Sequence, residues 1–155
     1  MDYYEKFCKY RYWLGIFIPA DMRKEAEAFL TDCKDEYIPY IIDKGNMYNW
    51  ENAIKVVEKI GYPTNRQALS SVMYLLMDVN WSYVQNAINI IEKVYKYEPE
   101  YVVQIMEETI LTAERKNDTS WLYGISYVKE RLRIEDNAFS SRDIMDILKK
   151  GEYYE

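Results

Sequence analysis

Apolar residues recur along this chain at helical rather than strand spacing, and the clearest instance follows Trp50. Ala53, Ile54, Val56, Val57 and Ile60 repeat at intervals of three and four, which lines one face of an α-helix, and Gly61 supplies a stop. A helix over about 50–60 is the expectation. Thr64 or Asn65 can cap the next one, whose face of Ala68, Leu69, Val72, Leu75 and Leu76 extends to Asp78. Together they make a helical hairpin.

Similar spacing predicts helices from Trp81 to Tyr95 and from Pro99 to Arg115, the second opened by a proline suited to a first helical turn. A third pair runs from Ser120 to Leu132 and from Ser140 or Ser141 to Lys150, with Asp143 in the first turn of the last helix. Upstream, Asp21 to Asp32 and Glu36 to Lys44 read as helical, with Pro39 near the start of the second. Residues 1–18 carry Tyr3, Tyr4, Phe7, Tyr10, Tyr12 and Trp13 and are the least regular stretch. They are read as a helical cap folded over the rest or as a dimer contact. Gly15, Gly45, Gly61, Gly124 and Gly151, with the four prolines, read as punctuation.

An internal repeat organises these hairpins. Asn52-Ala53-Ile54 followed by Glu58-Lys59 recurs 34 residues later as Asn86-Ala87-Ile88 followed by Glu92-Lys93, a period typical of stacked helix-turn-helix units. Tryptophans recur as well, in Asn49-Trp50, Asn80-Trp81 and Ser120-Trp121, 31 and 40 residues apart. The three-residue disagreement is nearly one helical turn, so either register places similar faces inward. The expected fold is a single all-α domain over residues 1–155, with about seven or eight helices in stacked antiparallel hairpins of HEAT-like type.

Length is compatible with one self-sufficient core: at 155 residues a chain buries roughly two thirds of its unfolded surface. The two cysteines, Cys8 and Cys33, are too far apart for a zinc or redox pair and read as thiols in a reducing compartment. Charged residues Asp2, Glu5, Lys6, Lys9 and Arg11 interrupt the N-terminus, and no apolar run approaches a membrane span. A cytoplasmic location, away from membranes, is expected. The net charge of -6 weighs against nucleic acid and favours a basic protein partner. Seventeen tyrosines and four tryptophans are many for this length, and such rings are enriched at interfaces, although a compositional bias of the genome would also supply them.

Candidate chemistry is thin. The absence of histidine removes Ser-His-Asp and Cys-His arrangements, and five scattered glycines form no phosphate-cradling loop. Ser126-Tyr127-Val128-Lys129 matches an S-x-x-K nucleophile pattern without its companion motifs. Asp143 with Asp146, and Glu107 beside Glu108, are carboxylate pairs, more simply read as solvated or dipole-complementing acids. No enzyme activity, metal or cofactor is implied.

Asp78-Val79-Asn80-Trp81 and Asp118-Thr119-Ser120-Trp121 resemble the D-x-N-W-P turn of a group of small bacterial helical-repeat domains of uncharacterised function, with Ser82 standing where the group has proline. The resemblance covers roughly residues 65–132. It implies HEAT-like hairpins and a likeness to immunity partners of secreted bacterial toxins, and it supplies no catalytic residues. The resulting expectation is a protein-binding domain that neutralises a basic toxin domain, with Asp78, Asn80, Trp81, Glu107, Glu108, Asp118 and Trp121 in the contact; a general scaffold for a peptide or regulatory protein is the alternative.

Overall fold

Helix starts follow from side chains that satisfy the free backbone N–H groups of a first turn. Asp2 accepts from Glu5 N, while Glu5 returns the contact to Asp2 N, and this capping box opens α1 over Tyr3–Tyr12. Asn46 accepts from Tyr48 N to open α3 over Met47–Ile60, and Asp118 accepts from Trp121 N to open α7 over Thr119–Arg131. The remaining helices are α2 over Ala20–Thr31, α4 over Leu69–Tyr74, α5 over Val84–Tyr97, α6 over Pro99–Arg115 and α8 over Arg142–Glu152. Tight 3-10 turns fill Asp35–Tyr40, Thr64–Ala68, Leu75–Met77 and Asp136–Ala138. This computed structural model describes residues 1–152, and the chain is all-α, with no strand among the described residues.

Successive helices pack on each other except α3 and α4, which meet through the 3-10 turn Thr64–Ala68, and several alternate ones pack too: α1 on α3, α3 on α5, α4 on α6, α6 on α8. Leu14, Leu30, Ile54, Leu69, Leu75, Leu76 and Ile91 are among the residues sealed from solvent between the layers. Each such side chain contributes roughly 1.5–3 kcal/mol by leaving water. No described helix is long and apolar enough to cross a membrane.

The 34-residue correspondence has a structural counterpart in α3 and α5, which pack together. Ala53 and Ala87 are both fully buried, as are Val57 and Ile91, and Ile54 and Ile88 are nearly so. Asn52 and Asn86 each reach back to the preceding layer: Asn52 Nδ2 donates to Leu14 O at 2.7 Å and Asn86 Nδ2 to Glu58 Oε2 at 2.8 Å. In this register the position equivalent to Trp50 is Val84, 4% exposed, not Trp81. Trp81 is instead 49% exposed, so the two registers do not place similar faces inward.

Within residues 1–18 the helix α1 ends at Tyr12, turns follow to Ile18, and the segment packs into the core. Phe7 and Tyr10 are buried, the Tyr10 hydroxyl donates to Glu25 at 2.9 Å, and its ring lies 4.7 Å from that of Phe29. Asn49, fully buried, fastens this layer to α3. Its Nδ2 donates to Arg11 O and Ile41 O, and its Oδ1 accepts from Asp43 N. Both amide hydrogens and the carbonyl oxygen thus find partners, as a buried amide requires.

Several boundaries differ from the sequence reading. The stretch Glu36 to Lys44 is a 3-10 turn that ends at Tyr40, because Pro39 lacks an N–H for a continuing α-helix. From Thr64 to Met77 the chain alternates 3-10, α and 3-10 winding. Leu69, Val72 and Leu75 are spaced by three, which suits either winding, so period alone does not separate them. α5 begins at Val84 rather than Trp81, because Asp78 Oδ1 accepts from Asn80 N and holds an Asx turn ahead of the helix. α7 starts at Thr119, one residue ahead of expectation, with Asp118 as its cap.

Gly124 and Gly151 do not punctuate; they lie inside α7 and α8. A Cβ on Gly124 would sit 1.8 Å from Leu76 O, and one on Gly151 would sit 2.4 Å from Tyr123 N. Both are points where one backbone presses directly against another.

Candidate functional site

The starts of α3, α5 and α7 meet along a row of aromatic rings. Trp50, in the first turn of α3, lies edge-on to Tyr83 at 6.2 Å and to Tyr74 at 5.7 Å; Tyr74 in turn is edge-on to Trp121 at 5.4 Å. Both buried indoles are anchored by their N–H groups. Trp50 Nε1 donates to Asp43 O at 2.7 Å and Trp121 Nε1 to Met73 O at 2.9 Å. Edge-to-face rings with satisfied polar tips form a rigid platform.

Trp81 completes the row from outside. Its ring stacks on Tyr83 at 6.0 Å with only 10° between planes, while half of the residue faces solvent. Tyr83 beneath it is buried, and that burial, together with the Asp78 carboxylate, pushes its hydroxyl up to about 12. Trp81 therefore stands as an exposed ring on a dry aromatic support. Asp78 and Asn80 shape its turn through the Asp78 Oδ1 to Asn80 N contact.

Two lysines border the same row. Lys44 Nζ is 5.2 Å from the Tyr74 ring centre; Lys116 Nζ is 5.9 Å from those of Tyr74 and Trp121. Burial first, then the nearby Lys116, lowers the Lys44 ammonium below its ordinary range. The rim thus mixes Asp43, Asp78 and Asp118 with two cations rather than presenting acid alone.

The expected contact residues separate into distinct neighbourhoods. Asp78, Asn80 and Trp81 share the exposed turn. Trp121, 3% exposed, is part of the core platform and offers no face to a partner. Asp118 is engaged with Trp121 N at 3.0 Å and Ser120 Oγ at 2.8 Å, so it serves the helix start. Glu107 accepts from the backbone N and hydroxyl of Ser140 and ties α6 to the connection before α8. Glu108 projects from α6 into solvent.

The S-x-x-K match is structural: Ser126 is buried, and Lys129 reaches Asp136 at 2.7 Å. That contact holds the Asp136 carboxyl below its ordinary range. Among the described residues no group of three or more His, Cys, Asp and Glu side chains is placed to hold a metal ion.

A second set of exposed rings was not singled out as a site from the sequence. Phe17 is 79% exposed and packs on Tyr48 at 5.2 Å, and Ile16 N donates to Tyr48 O at 3.1 Å. Tyr12 and Met47 are exposed beside them in sequence, at the end of α1 and the start of α3. The signal was available: Trp13 to Pro19 is an apolar run too short for a further helix and punctuated by Gly15 and Pro19. Phe17–Tyr48 and Trp81–Tyr83 flank the same first turn of α3, one through Tyr48 and the other through Trp50. Comparison with known proteins finds no match to this chain among family models, curated proteins or solved structures.

Proposed function

We propose that this chain is a non-catalytic protein-binding domain, and that the rim around the start of α3 is its contact surface. The observation that carries the reading is Trp81, a half-exposed indole held flat on buried Tyr83, with Phe17 and Tyr48 exposed on the other side of the same helix turn. Large exposed rings with preset orientation lose little conformational freedom on binding, and such residues dominate interface energetics.

The sharper form of the proposal is neutralisation of a bacterial toxin in the cytoplasm. Small size and the net charge of -6 support it, since a basic toxin domain would be steered toward this chain. The likeness of Asp78-Val79-Asn80-Trp81 to the turn of small helical-repeat domains points the same way.

The test is co-expression with the product of the neighbouring reading frame in the source genome, scored by survival and by co-purification. Survival that depends on the wild-type chain and is lost in Trp81→Ala combined with Phe17→Ser upholds the proposal. A stable complex that forms equally well with that double variant overturns the placement of the contact, and a neighbouring product that neither harms cells nor binds overturns the toxin reading.

A further inference from the structure

One flank of α5 and the end of α7 enclose an open pocket of about 690 Å³, lined in part by Lys93, Lys96, Arg131 and Arg133, with Glu92 the one carboxylate and Tyr95 at the wall. Four cations against one acid is the reverse of the chain's overall balance of -6. Among the described residues Arg11, Lys55, Arg66, Lys129 and Lys150 have a carboxylate within 4.0 Å, and the four pocket cations belong to the larger group that does not; what distinguishes them is that they face one cavity. Lys93 and Lys96 instead lie over the Tyr97 ring, at 5.6 and 5.3 Å. Four like charges facing a single carboxylate repel one another on balance, and a bound anion would relieve that repulsion.

Arg133 adds an independent observation. It has φ +57°, in the left-handed region, where a helix end ordinarily employs glycine or asparagine. Asparagine does occupy the corresponding place after α6, where Asn117 has φ +52°. Arg133 is fixed there by its own N donating to Glu130 O and by Ile134 N donating to Lys129 O, both at 3.0 Å. A long side chain held in an unfavourable backbone conformation at the lip of a pocket is explained when its guanidinium has a task there.

We propose that this pocket binds a compact polyphosphate anion, as free pyrophosphate or as the diphosphate of a nucleotide. Two guanidinium forks match phosphate oxygens in pairs, and two ammonium groups add point charge that suits a ligand with two or three negative charges. The pocket is separate from the aromatic rim and owes nothing to the protein-binding proposal.

Calorimetric titration of the purified full chain with inorganic pyrophosphate, ADP and citrate, at low and at raised salt, tests it. Saturable one-site binding of pyrophosphate or ADP, with citrate at least tenfold weaker, is the expected result; the tighter of the two names the source of the phosphate. Arg133→Gly is expected to raise the melting temperature by releasing the backbone and to weaken binding at least tenfold. Asn117→Gly, which alters the equivalent backbone position outside the pocket, is expected to leave binding unchanged. Lys93→Gln with Lys96→Gln provides a second loss of affinity on an unaltered helix. Absence of saturable binding, citrate binding as tightly as pyrophosphate, or undiminished affinity in Arg133→Gly would overturn the proposal.

Discussion

Gly124 and Leu76 are in backbone contact, so close that a methyl group on Gly124 would lie 1.8 Å from the Leu76 carbonyl oxygen. Replacing a mid-helix glycine with alanine ordinarily stabilises by roughly 0.5–1 kcal/mol. Here overpacking, at about 1–3 kcal/mol or more, opposes and outweighs that gain. Gly124→Ala is expected to lower stability by about 2 kcal/mol in urea denaturation, and an unchanged or raised midpoint would refute the close approach.

The tryptophans divide by depth. Trp121→Phe removes the buried indole hydrogen bond to Met73 O, a loss of about 0.5–1.5 kcal/mol. Trp81→Ala changes a half-exposed residue and is expected to alter stability by no more than about 0.5 kcal/mol. Iodide should quench a fluorescence component that Trp81→Ala deletes; equal quenching in both proteins would contradict the exposure of this ring.

The Lys129–Asp136 pair sets an acid dependence. Its 2.7 Å contact places the folded carboxyl of Asp136 below its unfolded value, so the stabilisation is present above the ordinary aspartate range and is lost as pH falls through the lowered folded value. Asp136→Asn should therefore lower the melting temperature at pH 7, and the difference from the parent should vanish in strong acid. A difference that persists at pH 2 would show that the effect is not carried by the charge.

Cys33 offers a chemical probe. Burial, followed by the Asp35 charge, pushes its thiol up to about 11, so thiolate is scarce near neutral pH. Iodoacetamide at pH 8 should modify native Cys33 far more slowly than the same residue in urea, as read by peptide mass spectrometry. Matching rates would place Cys33 outside the packed interior.

Much of the fold was legible because it rests on local physics. The apolar face of α3, Gly61 after it and Pro99 at the start of α6 carry their meaning in residue type and spacing, and the structure places those elements within a few residues of expectation. Turns that compete with helix were harder. Asp78 diverts a side-chain oxygen to Asn80 N, delaying α5 by three residues, and Pro39 limits its segment to 3-10 winding. Gly124 and Gly151 look like punctuation in the sequence yet lie inside helices, because their meaning lies in a neighbour distant in sequence.

The candidate site was legible only in part, for the same reason. Trp81 follows from its turn, but the burial of Trp121 and the seating of Ser140 on Glu107 depend on tertiary partners. Phe17 and Tyr48 are separated by a whole helix and two turns, and nothing local announces that their rings meet.

The three-residue offset of Trp81 from the position held by Trp50 also bears on how such a surface arises. In the 34-residue register, Val84 fills the interior place and Tyr83 beside it is buried, so it is the exposed residues Asn80 to Ser82 that can vary in composition without reopening the core. A small insertion or substitution there changes what the outside presents while the layers keep their mutual fit. If the rim binds as proposed, partner preference and foldability are carried by adjacent but separable letters of the chain, and recognition would diversify by rewriting Asn80 to Ser82 while Tyr83 and Val84 stay fixed.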